Sequence, residues 1–89
     1  EEQTPQSYPE RASQTLRIQL DNRHRKGKTV TLIEGFLLPE AEMRQIAHGL
    51  KTSCGTGGSF EKDKVLLQGD CREKARQWLL KNGFVQIKG

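Results

Sequence analysis

The stretch Thr15-Leu16-Arg17-Ile18-Gln19-Leu20, then Arg23-His24-Arg25-Lys26-Gly27-Lys28, then Thr29-Val30-Thr31-Leu32-Ile33-Glu34-Gly35-Phe36, decides the fold. Its first part alternates, with Leu16, Ile18 and Leu20 on one side of an extended chain and Arg17 and Gln19 on the other. That is the pattern of a strand whose sheet has one covered face. The third part is β-branched and again largely alternating, which puts Val30 and Leu32 on the core side. Nearly every residue from Arg23 to Lys28 is cationic or can become so. The whole reads as a long antiparallel hairpin that carries its charge at the tip, away from the core.

Working outward toward the C-terminus, Pro39 opens a helix at the position where its missing N–H costs nothing. Glu40 and Glu42 fall in the first turn, where the helix dipole favours anions. Met43, Ile46, Ala47 and Leu50 follow the i, i+3, i+4, i+7 spacing of one buried stripe. The helix runs out over Lys51 to Cys54, before Gly55-Thr56-Gly57-Gly58. Ser59 to Lys64 reads as a short polar strand and turn, and Val65-Leu66-Leu67-Gln68 as a compact strand. Asp70 is the expected N-cap of a second helix, with Glu73 completing a capping box. Cys71, Ala75, Trp78 and Leu79 form its apolar stripe. Asn82-Gly83 stops it, and Phe84-Val85-Gln86-Ile87 is a closing strand. The order is ββαββαβ. One apolar stripe per helix and one apolar face per strand predict an α+β fold. It is a two-layer α/β sandwich, with two helices on one face of a mainly antiparallel five-stranded sheet.

At 89 residues the chain has room for one modest core. Residues 1–13 hold three acids and one base, contain Pro5 and Pro9, and show no apolar period. They are expected to be a disordered tail, leaving residues 14–89 as the domain. The remaining 14 bases stand against 8 acids, a balance that favours polyanionic partners. No apolar run is long enough to cross a bilayer, and the acidic start lacks the features of a signal peptide. A soluble, cytoplasmic monomer without cofactor is expected. The two cysteines, Cys54 and Cys71, lack the ligand spacing of a zinc site and read as small buried apolar residues.

The cationic tip carries the functional signal. Arg presents a planar fork to phosphate and Lys a mobile point charge, so Arg23, His24, Arg25, Lys26 and Lys28 together suit a nucleic-acid backbone. Gly27 permits a turn and a close approach of main chain. The glycine-rich stretch Gly55-Thr56-Gly57-Gly58 fails as a phosphate cradle, because a helix precedes it and Ser59-Phe60 follows where a Gly-Lys-Ser/Thr would be required. It reads as a connector. Arg72 and Arg76 lie one turn apart, clear of the apolar stripe, and are open to either solvent or RNA. His24 and His48 have no context for acid–base work, and no nucleophile or carboxylate pair presents itself, so no catalytic or metal site is expected. Phe36, Trp78 and Phe84 occupy core-like positions, with Phe60 open. Recognition through backbone and shape is therefore favoured over base stacking.

Taken in order, these pieces resemble eukaryotic translation initiation factor one and its stand-alone archaeal and bacterial relatives, from about Leu16 to Gly89. The pieces are Arg25-Lys26-Gly27-Lys28 leading into Val30-Thr31-Leu32-Ile33-Glu34-Gly35, then Leu50-Lys51 with Cys54-Gly55-Thr56-Gly57-Gly58, then Leu67-Gln68-Gly69-Asp70 with Arg72, then Asn82-Gly83-Phe84. The Cys-Gly-x-Gly-Gly pattern is more like the bacterial and archaeal branch. The resemblance implies binding to rRNA of the small ribosomal subunit near the peptidyl site, with mRNA, initiator tRNA and other initiation factors nearby. There the hairpin loop influences start-codon selection. By position it implies loop contacts from Arg23, Arg25, Lys26 and Lys28, and secondary contacts from Lys51 and Arg72. A generic RNA-binding module and a protein-interaction module of the translation apparatus are the alternative expectations.

Overall fold

A computed structural model describes residues 9–21 and 29–89. The elements are β1 (Thr15–Asp21), β2 (Val30–Glu34), α1 (Glu40–Cys54), β3 (Gly58–Glu61), β4 (Lys64–Gln68), α2 (Arg72–Lys81) and β5 (Gln86–Lys88), after a single 3-10 turn at Arg11–Ser13. The strands lie in the order β3-β4-β2-β1-β5. Neighbours are antiparallel except β1 and β5, which run parallel. Leu16 and Ile18 of β1, Ile33 of β2, and Val65 and Leu67 of β4 meet Met43, Ile46, Ala47 and Leu50 of α1 and Ala75 and Leu79 of α2 in one core. This is the expected α+β sandwich, with both helical stripes on the same face of the sheet.

The helices close on each other through a small residue. A Cβ at Gly49 of α1 would run into the Trp78 ring of α2, so glycine is what lets the indole lie against the first helix. Trp78 is half-buried there rather than enclosed. Pro39 stands one position earlier than expected, as the N-cap, and its carbonyl accepts the N–H of Met43 at 2.9 Å. The C-terminus of α2 is closed as its Asn-Gly signal predicts. The Phe84 N–H donates to the Leu79 carbonyl at 3.0 Å and the Gly83 N–H to that of Leu80 at 3.4 Å, which satisfies two of the last carbonyls.

β2 is one residue out of phase with its expected reading. The register Ile18↔Ile33 and Leu20↔Thr31 places Ile33 and Thr31 on the helix side, and Val30 and Leu32 on the other. Val-Thr-Leu-Ile is apolar enough at both parities to suit either phase, and a slip of one residue exchanges the faces. The Thr31 hydroxyl favours the observed phase. It donates to the Gly69 carbonyl at 2.7 Å and accepts the Cys71 N–H at 2.8 Å, so the side chain is fully buried and fully bonded. Replacing Thr31 with Val keeps the shape and removes both bonds. We expect a loss of about 1 to 3 kcal/mol, seen as a lower urea midpoint at unchanged slope. An unchanged midpoint would show that water replaces the hydroxyl.

Two further expectations are corrected. Leu20 points to the helix side but is 39% exposed, because it lies one rung from the end of β1. The capping box at Asp70 and Glu73 does not form; Cys71 takes the N-cap position and its own side chain makes no capping bond. Asp70, one residue further out, still accepts the Arg72 N–H at 3.3 Å.

The stretch that composition assigns to the tail includes Arg11, and Arg11 is tied into the domain. Its guanidinium reaches Glu42 of α1 at 2.6 Å and the Asn82 carbonyl at 2.8 Å, and lies 5.2 Å from the centre of the Phe84 ring. Gln14 follows, buried, with its amide bonded to the Pro9 and Leu37 carbonyls and to the Leu37 N–H.

Candidate nucleic-acid interface

The tip residues Arg23, His24, Arg25, Lys26 and Lys28 lie outside the described residues, as does Gly27. The frame from which they spring is described. Residues 22–28 run between Asp21 and Thr29, and Asp21↔Val30 is the last rung of the β1–β2 ladder. At that end of the sheet three sequence-distant motifs meet. The Gly69 N–H donates to the Thr29 carbonyl at 2.7 Å, which joins the Gln68-Gly69-Asp70 junction to the root of the hairpin. The Gln68 N–H donates to the Gly57 carbonyl at 2.9 Å, and the Thr56 hydroxyl to the Gln68 carbonyl at 3.0 Å. Main chain therefore connects hairpin root, β4–α2 junction and glycine-rich connector in one seam.

The connector's geometry explains its composition. Gly55 ends α1 in the left-handed conformation, with its N–H on the Thr52 carbonyl and the Thr56 N–H on that of Lys51. A Cβ at Gly58 would overlap the Leu66 carbonyl oxygen, so only glycine lets β3 begin this close to β4. Thr29, Val30, Gly58, Ser59, Leu66 and Gln68 line an open hollow on this end of the sheet. Lys51 stands in the last turn of α1, just before the connector.

The two arginines of α2 have partners within the chain. Arg72 holds Asp70 through a fork, Nε to Oδ1 at 3.0 Å and a terminal nitrogen to Oδ2 at 3.1 Å. The side-chain and backbone hydrogen bonds from Arg72 hold the Asp70 carboxyl below its usual range. Both groups are open to water, so the pair is an exchangeable surface contact. Arg76 is turned toward β5, donating to the Gly89 carbonyl at 2.9 Å and the Ile87 carbonyl at 3.4 Å. Arg72 and Arg76 thus do not present two unengaged cations along one ridge. The partners of Arg76 are main-chain groups of the last strand and of the residue after it, which nothing in local spacing announces.

The face of the sheet away from the helices is electrically mixed. One row across it reads Lys88, Arg17, Glu34, Lys64, Glu61, so cations and anions largely neighbour each other. Phe60, left open by the sequence, faces the core side opposite Val65 and packs against the core. Among the described residues no aromatic ring stands on that face. No cluster of three or more His, Cys, Asp or Glu side chains suited to a metal occurs among the described residues either. Nor is any described helix long and apolar enough to cross a membrane.

A family model described as "Translation initiation factor SUI1" matches residues 12–85. An uncharacterized protein of Synechocystis is 44% identical over 71 residues, covering 80% of this chain and 64% of that protein. A protein translation factor SUI1 homolog of Sulfolobus acidocaldarius is 39% identical over 71 residues, covering 80% of this chain and 71% of the homolog. One from Methanococcus maripaludis is 38% identical, with 80% and 69% covered.

Proposed function

Because the chain belongs to the translation initiation factor SUI1 family, we propose that it binds the small ribosomal subunit near the peptidyl site and influences start-codon selection. The observation that carries this reading is the seam at the hairpin root. Two β-ladders and three main-chain or hydroxyl bonds brace the point where the cationic segment leaves the sheet. A charge cluster on a braced root can report geometry as well as attract phosphate.

The mechanism is placement rather than chemistry. Arg23, Arg25, Lys26 and Lys28 neutralise phosphates and release counterions, which supplies affinity without sequence preference. Lys51 lies close to the seam in sequence, and Arg72 can exchange its exposed Asp70 partner for a phosphate. The domain would dock on rRNA through these contacts. The hairpin would then tolerate one arrangement of mRNA and initiator tRNA and hinder others sterically. No group in this scheme has to make or break a covalent bond.

Chemical footprinting of small subunits with and without the protein tests the proposal. Protection is expected at the peptidyl site. Equal affinity for small subunits and for unstructured RNA, at matched salt, would replace the ribosomal reading with general RNA binding.

A further inference from the structure

Cys54 ends α1 and Cys71 precedes α2, far apart in sequence and on different elements. The fold brings them together. The Gln68 carbonyl accepts both the Thr56 hydroxyl at 3.0 Å and the Cys71 thiol at 3.3 Å, which pins the end of the first helix to the start of the second. Cys54 and Cys71 line one open hollow with Asp70, Arg72, Lys74 and Arg76. Both are free thiols, half-buried against the edge of the core. Both thiols therefore open on the same hollow, and Cys71 lies close enough to Cys54 to act on its thiol.

From this juxtaposition we propose that Cys54 and Cys71 form a reversible intrachain disulfide by exchange with a low-molecular-weight disulfide. The hollow admits a small reagent, and its cations, Arg72, Lys74 and Arg76, outnumber its acids, Asp70 and Glu73. An anionic disulfide is thus the favoured reactant. Burial, and then the neighbouring Cys71, push the Cys54 thiol up to about 11, which makes Cys54 a poor first nucleophile. Cys71 then attacks one sulfur of the reagent, giving up its proton and expelling one small thiol. Cys54 gives up its proton in turn and attacks the Cys71 sulfur of the mixed disulfide, expelling the second small thiol. Two protein thiols are oxidised and one small disulfide is reduced to two thiols, so atoms and electrons balance. The bond ties the last turn of α1 to the first of α2, between Lys51 and Arg72. It is independent of whether the protein acts on the ribosome.

The test treats the reduced full chain with oxidised glutathione, traps remaining thiols with an alkylating agent, and maps the products by mass. A monomer lighter by two hydrogens, unalkylated and yielding one peptide pair joined through Cys54 and Cys71, is expected. Dithiothreitol should restore both alkylatable thiols. Cys54→Ser should stop at a glutathione adduct on Cys71. The closed form should also resist urea, with its folding equilibrium constant raised on the order of a hundredfold for a loop of this size. Two free thiols, a lasting adduct on the unaltered protein, or disulfide-linked dimers would each overturn the proposal.

Discussion

Phe84→Ala should lower stability by about 3 to 5 kcal/mol, read as a shifted urea midpoint. Phe84 is fully buried and meets Phe36 edge-to-face, with ring centroids 5.5 Å apart at 89°. The guanidinium of Arg11 covers another side of the ring. The residue also closes α2, because its N–H holds the Leu79 carbonyl while its ring enters the core that Leu79 shares. Truncation removes the aromatic contact and the cation–π partner, and leaves a void where two helix ends, the N-terminal segment and the sheet converge. A chain of this length has in total roughly 4 to 13 kcal/mol to lose. A marked rise in the unfolded population at 37 °C is therefore expected. A variant with the same midpoint would mean that the site collapses around the gap and that Phe84 is not a keystone.

How far such a residue can be identified without coordinates depends on the range of the interaction. The stripes Met43-Ile46-Ala47-Leu50 and Ala75-Leu79 are periodic, and helical period survives any tertiary context, so both helices and their buried faces were legible. The Asn-Gly stop of α2 was legible for the same local reason. The phase of β2 was not. Its first four residues suit both faces, and the hydroxyl bonds of Thr31 run to Gly69 and Cys71 on a distant junction. The role of Arg11 was hidden likewise, since Glu42, Asn82 and Phe84 come from three other segments.

The candidate interface divides in the same way. Charge density is a property of composition, and the cationic tip could be recognised without any fold. The glycine-rich connector and the Gln-Gly-Asp junction could be found as motifs. Their joining to the hairpin root depends on main-chain bonds between Gly57, Gln68, Gly69 and Thr29, which side-chain identity does not encode. At Asp70 the limit is clearest. The right residue beside the right helix bonds the backbone one position away from the expected cap, and its carboxylate is held by Arg72 instead.

Replacing Arg23, Arg25, Lys26 and Lys28 together with Ala should change the salt dependence of RNA binding more than any change in the scaffold. Each phosphate contact adds about 0.9 to the slope of log affinity against log salt on duplex, and about 0.7 on single strands. If all four side chains make contact, the slope flattens by about 3. Over a fourfold rise in salt, the unaltered protein should then lose roughly 50- to 150-fold more affinity than the variant. Slope is a better readout than affinity at one salt concentration, because a misfolded variant loses affinity without the matching change in ion release. Thermal melting of the variant provides the independent check on folding. An unchanged slope with an intact fold would move the phosphate contacts off the tip, onto groups such as Lys51 and Arg72. Unchanged binding to a protein partner of the translation apparatus, with no measurable RNA affinity in either form, would instead favour the protein-interaction reading. A flattened slope on small subunits that is larger than on unstructured RNA is the result that the braced hairpin predicts, since only a fixed root can bring all four cations to phosphates at once.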